Sequence, residues 1–214
     1  MSTKVAKKEK AEVAVAELPK LVISAEDIEI PKLNVIQKQS NIEGNPGSLM
    51  LEQTHEVVGK DKEISVTVVN ATKRWREDID FDLDEMPRYA DTEEERATLQ
   101  ADSEWPVIEI ADLVFLMEKP EDGDDAVYPY PIGKSQFALG KLNTQKDGYR
   151  CTYKRLATYA AFNPTQPLAS IKWNFKVELL TRGKYSWFVP SLAVSSDEPS
   201  GEVVNFISKI WTTS

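Results

Sequence analysis

ASIKWNFKVELL (residues 169–180), TRG (181–183) and KYSWFVPSLAV (184–194) form the stretch that decides the fold class. Ile171, Trp173, Phe175, Val177 and Leu179 occupy alternate positions. A pleated strand sends alternate side chains to opposite faces, so these five share one side. Gly183 supplies a turn, and residues 184–194 return as the second arm of an antiparallel hairpin. Upstream, EISVTVVNA (63–71) is dense in β-branched residues and predicts another strand. VIEIADLVFLM (107–117) is apolar enough for a buried one. IPKLNVIQ (30–37) alternates after a proline, Asn45-Pro46-Gly47 marks a turn, and residues 49–51 continue as a short strand. His55 falls in a turn between two strands.

Helical spacing is found in KSQFALGKLN (134–143) and over residues 148–162. In the second, Tyr149, Tyr153, Leu156 and Ala160 share a face from which Lys154 and Arg155 are excluded. Residues 200–211 predict an amphipathic helix with Val203, Val204, Ile207, Ile210 and Trp211 inward. The expected fold class is α+β and β-rich, an OB-like antiparallel barrel or curved sheet decorated with two or three helices. An unrelated α+β sheet is the alternative. Residues 1–24 read as a flexible basic arm, and residues 25–214 as a single domain.

The chain of 214 residues carries a formal charge of −9, distributed very unevenly. Residues 77–126 hold a net −16 and residues 127–190 a net +8. The section from 77 to 106 is expected to be an acidic insertion on the domain surface. Within it, Thr92-x-x-Glu95 opens a helical run with a capping-box signature. Such asymmetry suggests contact with a polyanion, or an acidic element that competes with one.

Composition narrows the chemistry. One cysteine, Cys151, and one histidine, His55, rule out an internal disulfide and a structural zinc site built from Cys and His. Cys151 reads as a half-buried structural thiol and His55 as a surface residue. The glycines form no phosphate-binding loop. Asp78, Asp80, Asp82 and Asp84 alternate as in a calcium loop, but the central Gly and closing Glu are missing. No catalytic site, metal site or cofactor site is expected. No apolar run approaches the ~18 residues of a membrane span. The first ten residues lack the apolar segment of a secretory signal, so a cytoplasmic location is expected.

Three clusters mix cations with rings. The first is Lys73, Arg74, Trp75 and Arg76. The second is Lys146, Tyr149, Arg150, Tyr153, Lys154 and Arg155. The third is the hairpin with Lys172, Trp173, Lys176, Lys184, Tyr185 and Trp187. Single-stranded nucleic acid needs this mixture, because cations neutralise phosphates and exposed rings stack on bases. The same residues have plainer roles: the alternation places Trp173 in the core, Tyr153 can pack within a helix, and Trp75 suits either burial or exposure.

The segments IEIPKLNVIQ (28–37), Pro46-Gly47-Ser48-Leu49, Glu56-Val57-Val58-Gly59, the strand 64–69 and Lys73-Arg74-Trp75 resemble the start of small proteins of tailed bacteriophages and prophages. Some of these are single-stranded DNA-binding proteins. Trp173-Asn174-Phe175, Tyr185 and Phe188-Val189-Pro190 resemble their C-terminal part. The resemblance implies an OB-like core and an accessory role in phage DNA replication or recombination. It brings no catalytic residue, and the acidic block stands where some relatives carry a cysteine-rich insert.

The expected function is therefore non-enzymatic, sequence-tolerant binding of single-stranded DNA through Lys73, Arg74, Trp75, Arg76, Lys154, Arg155, Tyr185 and Trp187. Replication or recombination proteins are candidate partners of the acidic segment, and a homo-oligomer is compatible with the sequence. The alternative is a virion or host-takeover protein that binds other proteins through its acidic segment.

Overall fold

The long strands over residues 63–77, 107–118, 172–182 and 185–194 follow from β-branched and apolar runs separated by turn residues. The structure, a computed structural model, describes residues 27–80 and 82–211. The arm expected over residues 1–24 lies outside the described residues. β1 (Leu33–Val35), β2 (Leu49–Leu51) and β3 (His55–Val58) make a small antiparallel sheet in that order. His55 opens β3 and is exposed. The main sheet is built from β4 (Glu63–Glu77), β5 (Tyr89–Ala90), β6 (Val107–Glu118), β7 (Tyr130–Ile132), β8 (Ser135–Gln145), β9 (Lys172–Arg182) and β10 (Tyr185–Val194). Its order is β10-β9-β4-β6-β8-β7, with β5 beside the end of β4, and every pairing is antiparallel. The helices are α1 (Glu93–Asp102), α2 (Lys146–Cys151), α3 (Tyr153–Phe162) and α4 (Gly201–Trp211).

The α+β, sheet-rich, antiparallel class is thus present, and among the described residues no sheet closes into a barrel. The hairpin pairs as its alternation requires, with Arg182 opposite Tyr185 and Val177 opposite Pro190. Gly183 has φ 61° and is followed by a residue of ordinary φ, the pattern of a type II′ turn. Proline donates no ladder hydrogen bond, and Pro190 is accommodated because β10 is an edge strand.

Trp173, Phe175 and Val177 enter the main core with Val66, Leu113, Phe115, Leu156 and Leu192. Phe115 and Phe175 meet edge-on at 5.5 Å. Each buried side chain of this size contributes about 1.5–3 kcal/mol by leaving water. On the other face Val114, Leu116, Phe137 and Leu139 are covered by Val203 and Ile207 of α4. The amphipathic pattern expected of residues 200–211 is therefore used, with Phe206 and Trp211 partly buried beside them.

Two elements differ from expectation. Of residues 134–143, expected to be helical, all but Lys134 belong to β8. Ala138 and Leu142 lie in the main core while Phe137 and Leu139 lie in the second cluster. A strand buried on both faces loses its apolar–polar alternation, and its spacing then resembles that of a helix. The helix expected over 148–162 is broken at Thr152, whose hydroxyl donates to the Gly148 carbonyl at 2.7 Å. Cys151 is buried and free.

The acidic section 77–106 is more than a surface appendage. β5 extends the sheet, and α1 lays Leu99 over Trp75 and Ala90 to form a third small core. The capping box is present: Thr92 accepts from the Glu95 amide and Glu95 reaches back to the Thr92 amide. Glu77, with its side chain 4% exposed, holds the two ends of the section together. Its carboxylate accepts from Arg88 Nη2 at 2.7 Å, the Arg88 amide at 2.8 Å and Ser103 Oγ at 2.6 Å. The Arg88 hydrogen bond outweighs burial and lowers the Glu77 carboxyl from 4.5 to about 2.

A depressed carboxyl stabilises the fold fully above its unfolded value, and that stabilisation fades as pH falls through the folded one. The window here runs from 4.5 down to about 2. Glu77→Gln should cost about 1–2 kcal/mol at neutral pH, a modest figure because Arg88 remains solvated. The loss should shrink by about pH 3. Urea midpoints at the two pH values check this, and an equal loss at both would contradict it.

Candidate nucleic-acid interface

The three ring-and-cation clusters meet different fates. Trp75 is 6% exposed, and a buried indole offers no face for stacking on a base. Its ring is covered by Ala90 and Leu99, and this corrects its placement among the strand-binding residues. Lys73 bonds Glu109 at 2.7 Å, where its hydrogen bond holds the Glu109 carboxyl below the usual range. Arg74 is paired with Asp91, and its guanidinium pKa is raised chiefly by that hydrogen bond. Arg76 Nη2 donates to Gln145 at 2.6 Å, and its Nε is buried without a hydrogen-bond partner. The first cluster thus ties strands together, with Lys73 and Arg74 charge-paired and Arg76 bonded to a neutral carboxamide.

In the second cluster, Tyr149 and Tyr153 stack on each other at 5.2 Å, with Tyr149 buried. Arg155 Nη1 donates to Ser191 Oγ and to the Leu192 carbonyl, both at 2.7 Å. Arg155 therefore clamps α3 to the β10 edge, a structural task its charge alone did not reveal. Lys154 lies 3.7 Å from Glu109 and remains more than half exposed.

The hairpin keeps both rings and cations on the surface. Tyr185 is 64% exposed, with Lys184 Nζ 5.2 Å from its ring centre. Trp187 is half-buried, with the Arg182 guanidinium 5.8 Å from its ring. Lys38 donates to Ser186 Oγ at 2.8 Å, adding a third cation from the N-terminal segment. Lys32, Lys38 and Lys184 have no ion-pair partner among the described residues.

Of the hairpin's groups, Arg182 and Trp187 stand at a groove of about 880 Å³ between residues 32–42, the β8–α2 corner and β10. The N-terminal segment forms one wall because it is bonded at both ends. Lys141 N–H donates to the Pro31 carbonyl at 2.8 Å, which fixes it to β8. The Gln37 carboxamide donates to the Phe188 carbonyl at 2.7 Å and accepts from the Phe188 amide at 2.9 Å, which fixes it to β10. Lys32, Lys146, Arg182 and Trp187 line the groove with the carboxamides of Asn34, Asn143 and Gln145. Asp147 is the acidic group among them, 3.0 Å from Arg150 and 3.7 Å from Arg182. Lys146 has φ 51°, a left-handed conformation that costs a non-glycine residue energy, and such strain concentrates at functional sites.

Sequence reasoning found Tyr185 and Trp187 but missed Lys32, Lys38 and Arg182. Arg182 was legible as the residue flanking the hairpin turn. Lys32 and Lys38 were not, because 151 residues separate Gln37 from the strand it joins.

Among the described residues no group of three or more His, Cys, Asp or Glu side chains is placed to hold a metal ion. None of their helices is long and apolar enough to cross a membrane. Compared with protein-family models, curated proteins and solved structures, the chain matches none, so the functional reading rests on the geometry of this groove.

Proposed function

We propose that the chain binds single-stranded DNA, without catalysis and with little sequence preference, along the groove beside β10. In a phage this would serve DNA replication or recombination. The carrying observation is the hairpin's pair of rings, exposed Tyr185 and half-buried Trp187, each with a cation within 6 Å of its ring, Trp187 lining a groove with Lys32, Lys146 and Arg182. Flat rings stack on any base, and the cations follow the phosphates, which yields affinity without sequence readout. This is the mode OB folds use, here on a sheet that stays open. The carboxamides of Asn34, Asn143 and Gln145 suit hydrogen bonds to sugar and base edges in the same channel.

A short labelled oligonucleotide titrated with the protein, beside its own duplex, tests the reading. Preference for the single strand is expected, and equal or absent binding refutes it. The salt dependence adds residue detail, since each phosphate neutralised on a single strand contributes about 0.7 to the slope of log K against log salt. Arg182→Ala with Lys184→Ala should flatten that slope by about 1.4. Lys73→Ala with Arg74→Ala should leave it nearly unchanged, because both cations are paired with carboxylates within the protein.

A further inference from the structure

We infer that the chain self-associates head to tail, the acidic–apolar stretch 82–86 of one copy docking in the groove between α3 and β10 of the next. That groove has a volume of about 620 Å³ and lies apart from the one beside the N-terminal segment. Its apolar lining comes from Tyr159, Phe162, Leu192 and Val194. Phe162 is 83% exposed and Val194 47%, a large apolar offering for a free surface. Arg150 and Lys154 sit on the same groove with more than half of each side chain in solvent.

The complementary surface is on the same molecule. Asp78, Asp80, Asp82, Asp84 and Glu85 alternate with apolar residues, and of these Leu83 and Met86 are exposed. Met86 is 92% exposed, with little among the described residues to cover it. On either side of the stretch, Asp78 bonds Lys146 at 2.8 Å and β5 pairs with β4. None of the residues lining the α3 groove comes from it. Seated in that groove, Leu83 and Met86 would cover Phe162 and Val194, and the carboxylates would face Arg150 and Lys154. Two different patches meeting on successive copies form a heterologous contact, which propagates into a ring or a filament. The contact needs no nucleic acid.

Sedimentation of the full chain without DNA tests this. The average mass should rise above the 24.1 kDa monomer as protein reaches tens to hundreds of micromolar, and less so at high salt. Phe162→Ser removes the groove's apolar contact, and Leu83→Ser with Met86→Ser removes the inserted side chains. All three side chains are exposed, so the fold tolerates their loss. Each variant alone should associate at least about tenfold more weakly. An equimolar mixture of the two retains one intact contact and should stop at a pair, about twice 24.1 kDa.

A chain that stays monomeric throughout overturns the proposal. So does a Phe162→Ser protein that associates undiminished, or a mixture that forms no pair. Loss of oligonucleotide affinity in Phe162→Ser with unaltered sedimentation would give the groove to the nucleic acid instead.

Discussion

Replacing Tyr185 and Trp187 together by alanine will weaken binding to a single-stranded oligonucleotide by about a hundredfold. Loss of one base–ring stack costs about 1–3 kcal/mol, and two rings at the lower part of that range already amount to two decades. The rings are well placed for a clean test. Tyr185 is 64% exposed and Trp187 half-buried, and neither belongs to the three apolar clusters. Stability should therefore move little while affinity falls. Fluorescence anisotropy with a labelled oligonucleotide measures the loss, and a urea titration checks the fold. The control is Trp75→Phe, which retains an aromatic side chain in the third core and should leave affinity unchanged. If that substitution proved the more damaging for binding, the site would lie on α1 and β5 and the hairpin would be a bystander.

The second large effect concerns the wall of the groove. Gly140→Val should destabilise the protein by about 2–3 kcal/mol. A Cβ at position 140 would lie 2.7 Å from Leu33 Cγ and 3.0 Å from the Met117 methyl. Both neighbours are buried, so they have little room to retreat. Gly140 pairs with Phe115 in the centre of β6–β8, and its missing side chain is what lets β1 lie on the sheet. Valine there would push β1 outward and disturb the groove that Lys32 and Asn34 line. The expected signature is a lower urea midpoint together with weaker oligonucleotide binding. Leu33→Ala in the same chain should recover part of the stability, a coupling that additive effects would not produce. Full stability in Gly140→Val would mean that β1 does not rest on β8.

The residues that carry these two predictions were not equally visible in the sequence. The hairpin was legible because Trp173, Phe175 and Val177 alternate without a break and Gly183 follows at the turn. Tyr185 and Trp187 could be singled out on that frame. Trp75 could not be placed, since its burial depends on Ala90 and Leu99, two contacts fifteen and more positions along the chain. The acidic density of residues 77–106 concealed that Leu99. β8 was misread because it is apolar on both faces, where helix and strand periods blur. The wall built by residues 31–37 depends on Pro31 meeting β8 and Gln37 meeting β10, and no local pattern encodes either encounter. Likewise, charge alone could not separate Arg155, spent on the Leu192 carbonyl, from Lys184, which stays in solvent.

Gln37 has a further consequence for how the chain is made. Its amide group imitates a neighbouring peptide unit, closing both bonding positions of Phe188 on an otherwise open sheet margin. The imitator leaves the ribosome 151 residues before the strand it serves. Until β10 has been synthesised it has nothing to seal, and the newly formed β10 is briefly able to recruit a stranger's backbone. Crowded nascent copies are thus most prone to mispairing in the interval between hairpin formation and arrival of that one carboxamide.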